Sequence, residues 1–190
     1  LLAVVFVGTS RRFPGKHFIE VRPGLRMIDL VINRLQAIGL DVLVYSKVFF
    51  RCSAPLMIDR EDWILPSFIS LLRKLGDKGI GEIIAIGGDM PLICGEGISL
   101  LLKEFSDPDV AVVPRWENGY MEPLHAIYRS VMARFLEEAL KGGIKSLHSA
   151  IEKTPCVKFI EAELFPSNIF FNVNVPRDLM RLREILREEP

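Results

Sequence analysis

The chain has 190 residues, 24 Lys plus Arg against 24 Asp plus Glu, and 49% hydrophobic residues, giving a formal net charge of zero. That length suits one domain, residues 1–190, able to bury most of the apolar surface it carries, and the apolar fraction excludes a disordered chain. A neutral total also removes the basic excess expected of a dedicated nucleic-acid binder, although residues 1–51 carry a net +5 and residues 52–110 a net −5.

Short apolar runs alternate with segments of helical period, the pattern of an α/β domain on a mostly parallel sheet. Strands are predicted over 2–7, 40–45, 82–87, 109–114 and 169–173, most of them apolar on both faces, as buried parallel strands are. The run Leu1 to Val7 is expected to be a strand and not the core of a signal peptide. It has no basic leader, and a Gly/Ser/Arg loop follows it. The first helix carries Met27, Leu30, Val31 and Leu35 and is closed by Gly39. A second is expected to open at Pro66, carry Phe68, Leu71, Leu72 and Leu75, and stop at Gly76. A third is predicted over 97–105. Ser130 is placed to cap a fourth, with Val131, Phe135, Leu136 and Leu140, ending at Gly142 and Gly143. Pro176 opens the last, with Leu179, Leu182 and Leu186 facing inward. Residues 115–129 break the alternation, with a turn at Asn118-Gly119 and then an antiparallel or edge strand over 123–128.

Cys52, Cys94 and Cys156 form no Cys-x-x-Cys pair, which argues against a zinc site or a disulfide framework and for a reducing, cytoplasmic location. No apolar run approaches the roughly 20 residues needed to cross a bilayer. No membrane or nucleic-acid partner is therefore expected.

The loop Gly8-Thr9-Ser10-Arg11-Arg12-Phe13-Pro14-Gly15-Lys16 follows the first strand, where open α/β sheets bind ligands. Its glycines, hydroxyls and three cations suit phosphate, and a solvated basic loop is the plain alternative. Six residues separate Gly8 from Gly15, and His17 follows Lys16, so it is not a Walker A loop; Gly-x-Gly-x-x-Gly is absent too. Asp89 follows the 82–87 strand and two glycines at the same sheet edge. It is a candidate Mg²⁺ ligand, with an Asx turn or helix cap as the equal alternative. Asn172 and Asn174 alternate at the end of the 169–173 strand and are expected to face one side, capping the last helix or making turn bonds.

Together these pieces resemble the molybdenum cofactor guanylyltransferase family, within the nucleotidyltransferases of glycosyltransferase-A-like fold, a three-layer α/β/α Rossmann-like arrangement with one antiparallel strand. Residues 4–16 resemble its Leu-Ala-Gly-Gly-x-Ser-x-Arg-Met-Gly-x-x-Lys loop, and Gly88-Asp89-Met90-Pro91 its Gly-Asp-Met-Pro signature. Pro123 to Tyr128 resembles Pro-Leu-x-Ala-Leu-Tyr, and Phe171 to Leu179 resembles Phe-x-Asn-Val-Asn-Thr-Pro-x-Asp-Leu. The resemblance implies transfer of GMP from GTP to molybdopterin with release of pyrophosphate and a need for Mg²⁺. Other molybdenum cofactor proteins are implied as transient partners. It implies nucleotide contacts at Gly8, Thr9, Ser10, Arg12, Lys16, Ser46, Asp59, Gly88 and Asp89. Arg12, Lys16 and Asp89 would be catalytic, Asp89 and Asn174 would bind metal, and Asn172, Asn174 and His125 would lie toward the acceptor.

Val7 stands where the family has a glycine, and Pro66-Ser67-Phe68-Ile69-Ser70 replaces its Gly-Pro-Leu-x-Gly. Arg12 to His17 is closer to the Arg-Leu-Pro-Gly-Lys-Pro loop of sugar-acid cytidylyltransferases. Two alternatives stay open: a cytidylyl or other nucleotidyl transfer to a sugar phosphate or sugar acid, and a nucleotide-binding domain without catalysis.

Overall fold

The computed structural model describes residues 1–189. Its centre is a seven-stranded sheet containing β1 (Leu2–Val7), β4 (Asp41–Ser46), β5 (Leu56–Ile58), β6 (Glu82–Gly87), β7 (Ala111–Arg115), β8 (His125–Arg129) and β9 (Val157–Glu161). The order is β5-β4-β1-β6-β8-β7-β9, and only β8 runs antiparallel to its neighbours. A separate hairpin joins β2 (Glu20–Arg22) to β3 (Leu25–Arg26). The helices are α1 (Met27–Ala37), α2 (Ile64–Gly76), α3 (Gly95–Glu104), α4 (Met132–Lys141), α5 (Leu147–Lys153) and α6 (Pro176–Glu188). None is long and apolar enough to cross a membrane.

Alternation along the strands divides the core. Val4 and Phe6 of β1 meet α2, α4 and α5 on one face, where Phe6, Phe68 and Tyr128 form an aromatic chain with centroid separations of 5.1 and 4.8 Å. Ala3, Val5 and Val7 meet α1 and α3 on the other. The apolar stripe of α2 is sealed as its spacing requires, each fully buried Leu or Phe contributing about 1.5–3 kcal/mol. A third, smaller core lies outside the sheet. There Leu179, Leu182 and Leu186 of α6 pack on Val21, Met27, Leu30, Leu92 and Val173.

Several expectations need correction. Helix α2 opens two residues before Pro66 and runs through Gly76. The helix stops at Gly76 as expected, and Gly79, at φ +79°, closes the turn after it, its N–H bonding Gly76 O while Ile80 N bonds Leu75 O, the 5→2 and 6→1 bonds of a Schellman turn. Gly39 closes α1 by the same device. Ser130 gives α4 no side-chain cap; its side chain packs over Gly76. The antiparallel strand β8 sits inside the sheet, not at its edge. Residues 169–173 are not a strand: they form a turn and an extended segment after Asn168, whose φ is +67°. They bond to a loop, not to a sheet edge, since Val173 N donates to Asp89 O at 2.9 Å. β5, β9, α5 and the β2–β3 hairpin had no expectation behind them, being only two to seven residues long.

Candidate active site

β1 lies between parallel neighbours β4 and β6, so the chain leaves its carboxyl end at the point where the sheet's winding reverses and a crevice opens. A cavity of about 380 Å³ occupies that crevice, walled by Gly8, Thr9, Ser10, Lys16, His17 and Asp89 on one side and by Lys47, Asp59, Trp63 and Ser67 on the other. Val7 is the last residue of β1, extended and paired with Ser46, so the missing first glycine strains nothing. A Cβ on Gly8 would meet nothing within 4 Å, which leaves its backbone open to the cavity. Ser10 Oγ accepts from Phe13 N at 3.1 Å, curling the loop so that Lys16 turns inward.

Lys16 is 4% exposed. Its Nζ donates to Asp89 Oδ2 at 2.6 Å and to Asn174 Oδ1 at 2.9 Å, drawing together residues 73 and 158 positions away. Each partner is held by its backbone. Gly88 N donates to Phe6 O at 2.9 Å, and a Cβ on Gly88 would lie 2.9 Å from that oxygen, so only glycine lets the loop come this close to β1. His17 Nδ1 donates to Gly88 O at 3.1 Å, tying the basic loop to the Asp89 loop. Burial lowers the His17 pKa against the opposing bond to Gly88, which favours the neutral ring. Asn174 follows Val173, which is bonded to Asp89 O, and Asp178 fixes the start of α6 by accepting from Asn174 N at 2.8 Å and Val175 N at 3.0 Å. The capping role expected of the two asparagines thus belongs to Asp178.

The far wall is a second polar cluster. Asp59 accepts from Lys47 Nζ at 2.7 Å, Ser67 Oγ at 2.8 Å and Glu61 N at 3.0 Å. Burial pushes its carboxyl up, but these bonds outweigh that and hold it below the usual range. Within the segment that replaces the family's Gly-Pro-Leu-x-Gly, Ser67 bonds Asp59, and Trp63, just before that segment, lines the cavity at 46% exposure.

A second cavity of about 350 Å³ shares Ile64, Asp89 and Leu124 with the first and is lined by Tyr120, Glu122, His148, Asn172 and Asn174. Asp89 therefore stands between two chambers, one with the cationic loop and one without a Lys or Arg in its wall.

The structure thus gathers Gly8, Thr9, Ser10, Lys16, Asp59 and Asp89 around one chamber and Asn172 and Asn174 around its neighbour. Other expectations fare differently. Arg12 is exposed and makes no ion pair or hydrogen bond among the described residues. Gly88 acts through its backbone, behind Asp89. Ser46 is sealed, its Oγ donating to Val48 O at 2.8 Å to shape the turn, and it is Lys47, the next residue, that reaches the cavity. His125 lines neither cavity. Residues alternate along β8, so while Ala126 and Tyr128 face α2, His125 is fully buried between Phe165 and Phe170 on the other side. Both of its ring nitrogens lack partners, and burial pushes its pKa down to about 3. Lys47, Ser67 and Glu122 were not singled out in the sequence. Lys47 lies two residues past the end of the predicted 40–45 strand and directly after β4, which is the signal that points to it.

The donor set near Lys16 is the kind a hard cation takes. A carboxylate and an amide oxygen converge on the Lys16 ammonium nitrogen, and no cluster of three or more His, Cys, Asp or Glu that could hold a metal by itself exists among the described residues. Two protein oxygens suit a divalent cation whose shell is completed by substrate phosphates.

Comparison with known proteins accords with this geometry. Residues 3–155 match the MobA-like NTP transferase domain, a span that contains Lys16, Asp89 and Glu122 but not Asn174. Probable molybdenum cofactor guanylyltransferases are 42% identical over 96% of this chain and 98% of the protein from Thermococcus gammatolerans, and 35% identical over 94% and 96% for Pyrococcus horikoshii. The fold matches molybdopterin-guanine dinucleotide biosynthesis protein A from Archaeoglobus fulgidus with a TM-score of 0.81, covering 99% of this chain and 100% of that one at 23% identity. It also matches CMP:2-keto-3-deoxy-manno-octonic acid synthetase, with a TM-score of 0.72 over 100% and 99% of the two chains at 14% identity. Near-complete overlap with the curated relatives, on a sheet whose switch point carries the cationic loop and the Gly-Asp-Met-Pro turn, makes this chain a member of the MobA-like NTP transferase family and a nucleotidyltransferase.

Proposed function

We propose that the protein transfers GMP from GTP to the terminal phosphate of molybdopterin. The observation that carries this reading is the junction of two chambers at Asp89, one fitted for a triphosphate and one free of cationic side chains. A phosphate oxygen of the acceptor attacks the α-phosphorus of GTP, and the bond to the bridging oxygen of the β-phosphate breaks, releasing pyrophosphate. Because the acceptor oxygen is already ionised at neutral pH, no general base is required. The chain's task is positioning and charge stabilisation. Backbone N–H groups at Gly8 and the hydroxyls of Thr9 and Ser10 hold phosphate oxygens, Lys16 neutralises charge growing on pyrophosphate, and Arg12 contacts the triphosphate from the solvent side. Trp63 stacks on the base, and Asp59 with Lys47 faces its polar edge. Asn172 and Asn174 contact the acceptor. Asp89 and Asn174 would hold Mg²⁺, which supplies a positive centre that draws charge from the phosphoryl oxygens. A cytoplasmic site of action follows from such substrates.

The test is pyrophosphate release from GTP, Mg²⁺ and molybdopterin, with a CTP arm. Release with GTP and formation of the dinucleotide are expected. Turnover with CTP and a sugar acid only, or saturable nucleotide binding with no release, would overturn the reading.

A further inference from the structure

The second cavity contains a carboxylate whose geometry suits a particular ligand edge. Glu122 is 9% exposed, and its backbone N donates to Pro114 O at 2.9 Å, which fixes the residue at the base of the 116–121 loop. Its Oε1 accepts from Trp116 Nε1 at 2.9 Å. Trp116 is itself pinned, its N donating to Tyr120 O at 2.7 Å and its ring standing edge-on to Phe170 with centroids 5.5 Å apart. The other oxygen, Oε2, accepts no hydrogen bond among the described residues and is not one of the polar atoms sealed from solvent. A carboxylate oxygen has two acceptor sites, so this oriented group keeps most of its accepting capacity, and no Lys or Arg in the cavity wall uses it.

Beside it the cavity has an aromatic and apolar wall. Tyr120 presents its ring, more than half exposed, 5.2 Å from the His148 ring, which is fixed by a bond from Nε2 to Met121 O at 3.2 Å. Leu124 and Leu147 line the same space. A planar heterocycle with two adjacent N–H donors on one edge matches this arrangement. A 2-amino-4-oxopterin has that edge in its 2-amino group and N3–H.

We propose that Glu122 is the residue that recognises the acceptor, pairing its carboxylate with the 2-amino and N3–H donors of a pterin ring stacked on Tyr120. This rests on the reading of the second cavity as the acceptor side. Burial and the charge of Asp89 push the Glu122 carboxyl up, the Trp116 bond opposing them, so two further donors relieve an under-solvated group. Trp116 acts as a positioning residue, setting the plane of the carboxylate.

The test uses the intrinsic fluorescence of pterin, with lumazine, in which a carbonyl oxygen replaces the 2-amino group, as the matched probe. The intact protein is expected to bind pterin about 10- to 100-fold more tightly than lumazine, since lumazine sets an acceptor against the carboxylate. Glu122→Gln should reduce that ratio to within about threefold while leaving the GTP Kd unchanged, and Trp116→Phe should give an intermediate ratio. Equal binding of the two probes by the unmodified protein, absence of pterin binding, or a ratio preserved in Glu122→Gln would overturn the proposal. The unmodified protein alone decides the matter if the variant fails to fold. Loss of the site and loss of the function are separable: GMP transfer without pterin discrimination sinks only the role of Glu122, and discrimination without transfer sinks only the guanylyltransferase reading.

Discussion

Lys16 and Asp89 form an ion pair whose members are unequally buried, and that inequality predicts unequal losses of stability when either is removed. The Lys16 side chain is 5% exposed and that of Asp89 is 24% exposed. Asp89→Asn leaves an ammonium group inside the protein facing only amide oxygens. Stranding a buried charge costs about 3–5 kcal/mol, and the partial exposure of the site brings this to about 2–4 kcal/mol. Lys16→Met leaves instead a carboxylate that can turn to water, while the methionine stem keeps the packing, at a cost of about 1 kcal/mol. For a chain of 190 residues, Tm is expected to fall by roughly 4–16 °C in the first variant and 2–4 °C in the second. Turnover does not follow stability. The milder Lys16→Met variant should still lose about 10²- to 10³-fold in turnover at saturating GTP, the usual cost of removing one preorganised charge or donor. Thermal melts and pyrophosphate release measure the two quantities on the same samples. A larger Tm loss for Lys16→Met than for Asp89→Asn, or a Lys16→Met enzyme retaining more than about a tenth of its turnover, would refute the reasoning.

Gly88→Ala would set a Cβ 2.9 Å from Phe6 O, and is expected to cost about 1–3 kcal/mol in a denaturant titration and to displace Asp89. Gly8→Ala, whose Cβ meets nothing within 4 Å, should melt normally yet bind GTP more weakly in calorimetry. Trp63→Ala should raise the GTP Kd by about 10-fold, the value of one base-aromatic stack, and leave pterin fluorescence titrations unchanged. His125 binds no proton in the folded protein until the pH falls to about 3, whereas its unfolded form takes one near 6.5, so the unfolded state holds more protons below 6.5 and stability falls with acidification. Between pH 7 and 4.5 this amounts to about 2–3 kcal/mol, and His125→Leu should flatten that part of the pH–stability curve and, by removing two unpartnered nitrogens, raise stability at pH 7 by about 1–2 kcal/mol.

The parts of this molecule that depend on one chain segment were legible in its sequence. β1, β6 and the apolar faces of α1, α2 and α6 follow from periodicity, because each buries a continuous run or stripe. Lys16, Asp89 and Asn174 were each identifiable at a strand end or helix start, but their convergence within 2.9 Å depends on long-range packing that local spacing does not encode. The burial of His125 away from both cavities is not legible locally, because a side chain's face on a central antiparallel strand is decided by register, and β8 pairs on both sides. Glu122 had no local signature: its environment comes from Trp116, six residues away, and from a cavity assembled out of five separate stretches of chain. At Ser46 a slip of one residue exchanges a turn-forming hydroxyl for the cavity-facing Lys47, a distinction set by how the chain turns after β4.

The third core divides custody of the site. Asp89 is anchored to the sheet through Gly88 and Phe6, whereas Asn174 belongs to the segment that α6 clamps against the β2–β3 hairpin, with Arg183 donating to Glu20 O at 2.6 Å. One backbone bond, Val173 N to Asp89 O, bolts the two halves together at the point where their oxygens meet. The spacing between those oxygens is therefore a matter of how α6 seats, not of strand geometry. A local opening that lifts α6 would part Asn174 from Lys16 and Asp89 while the sheet stayed folded, so this corner can lose its geometry long before the domain loses its shape.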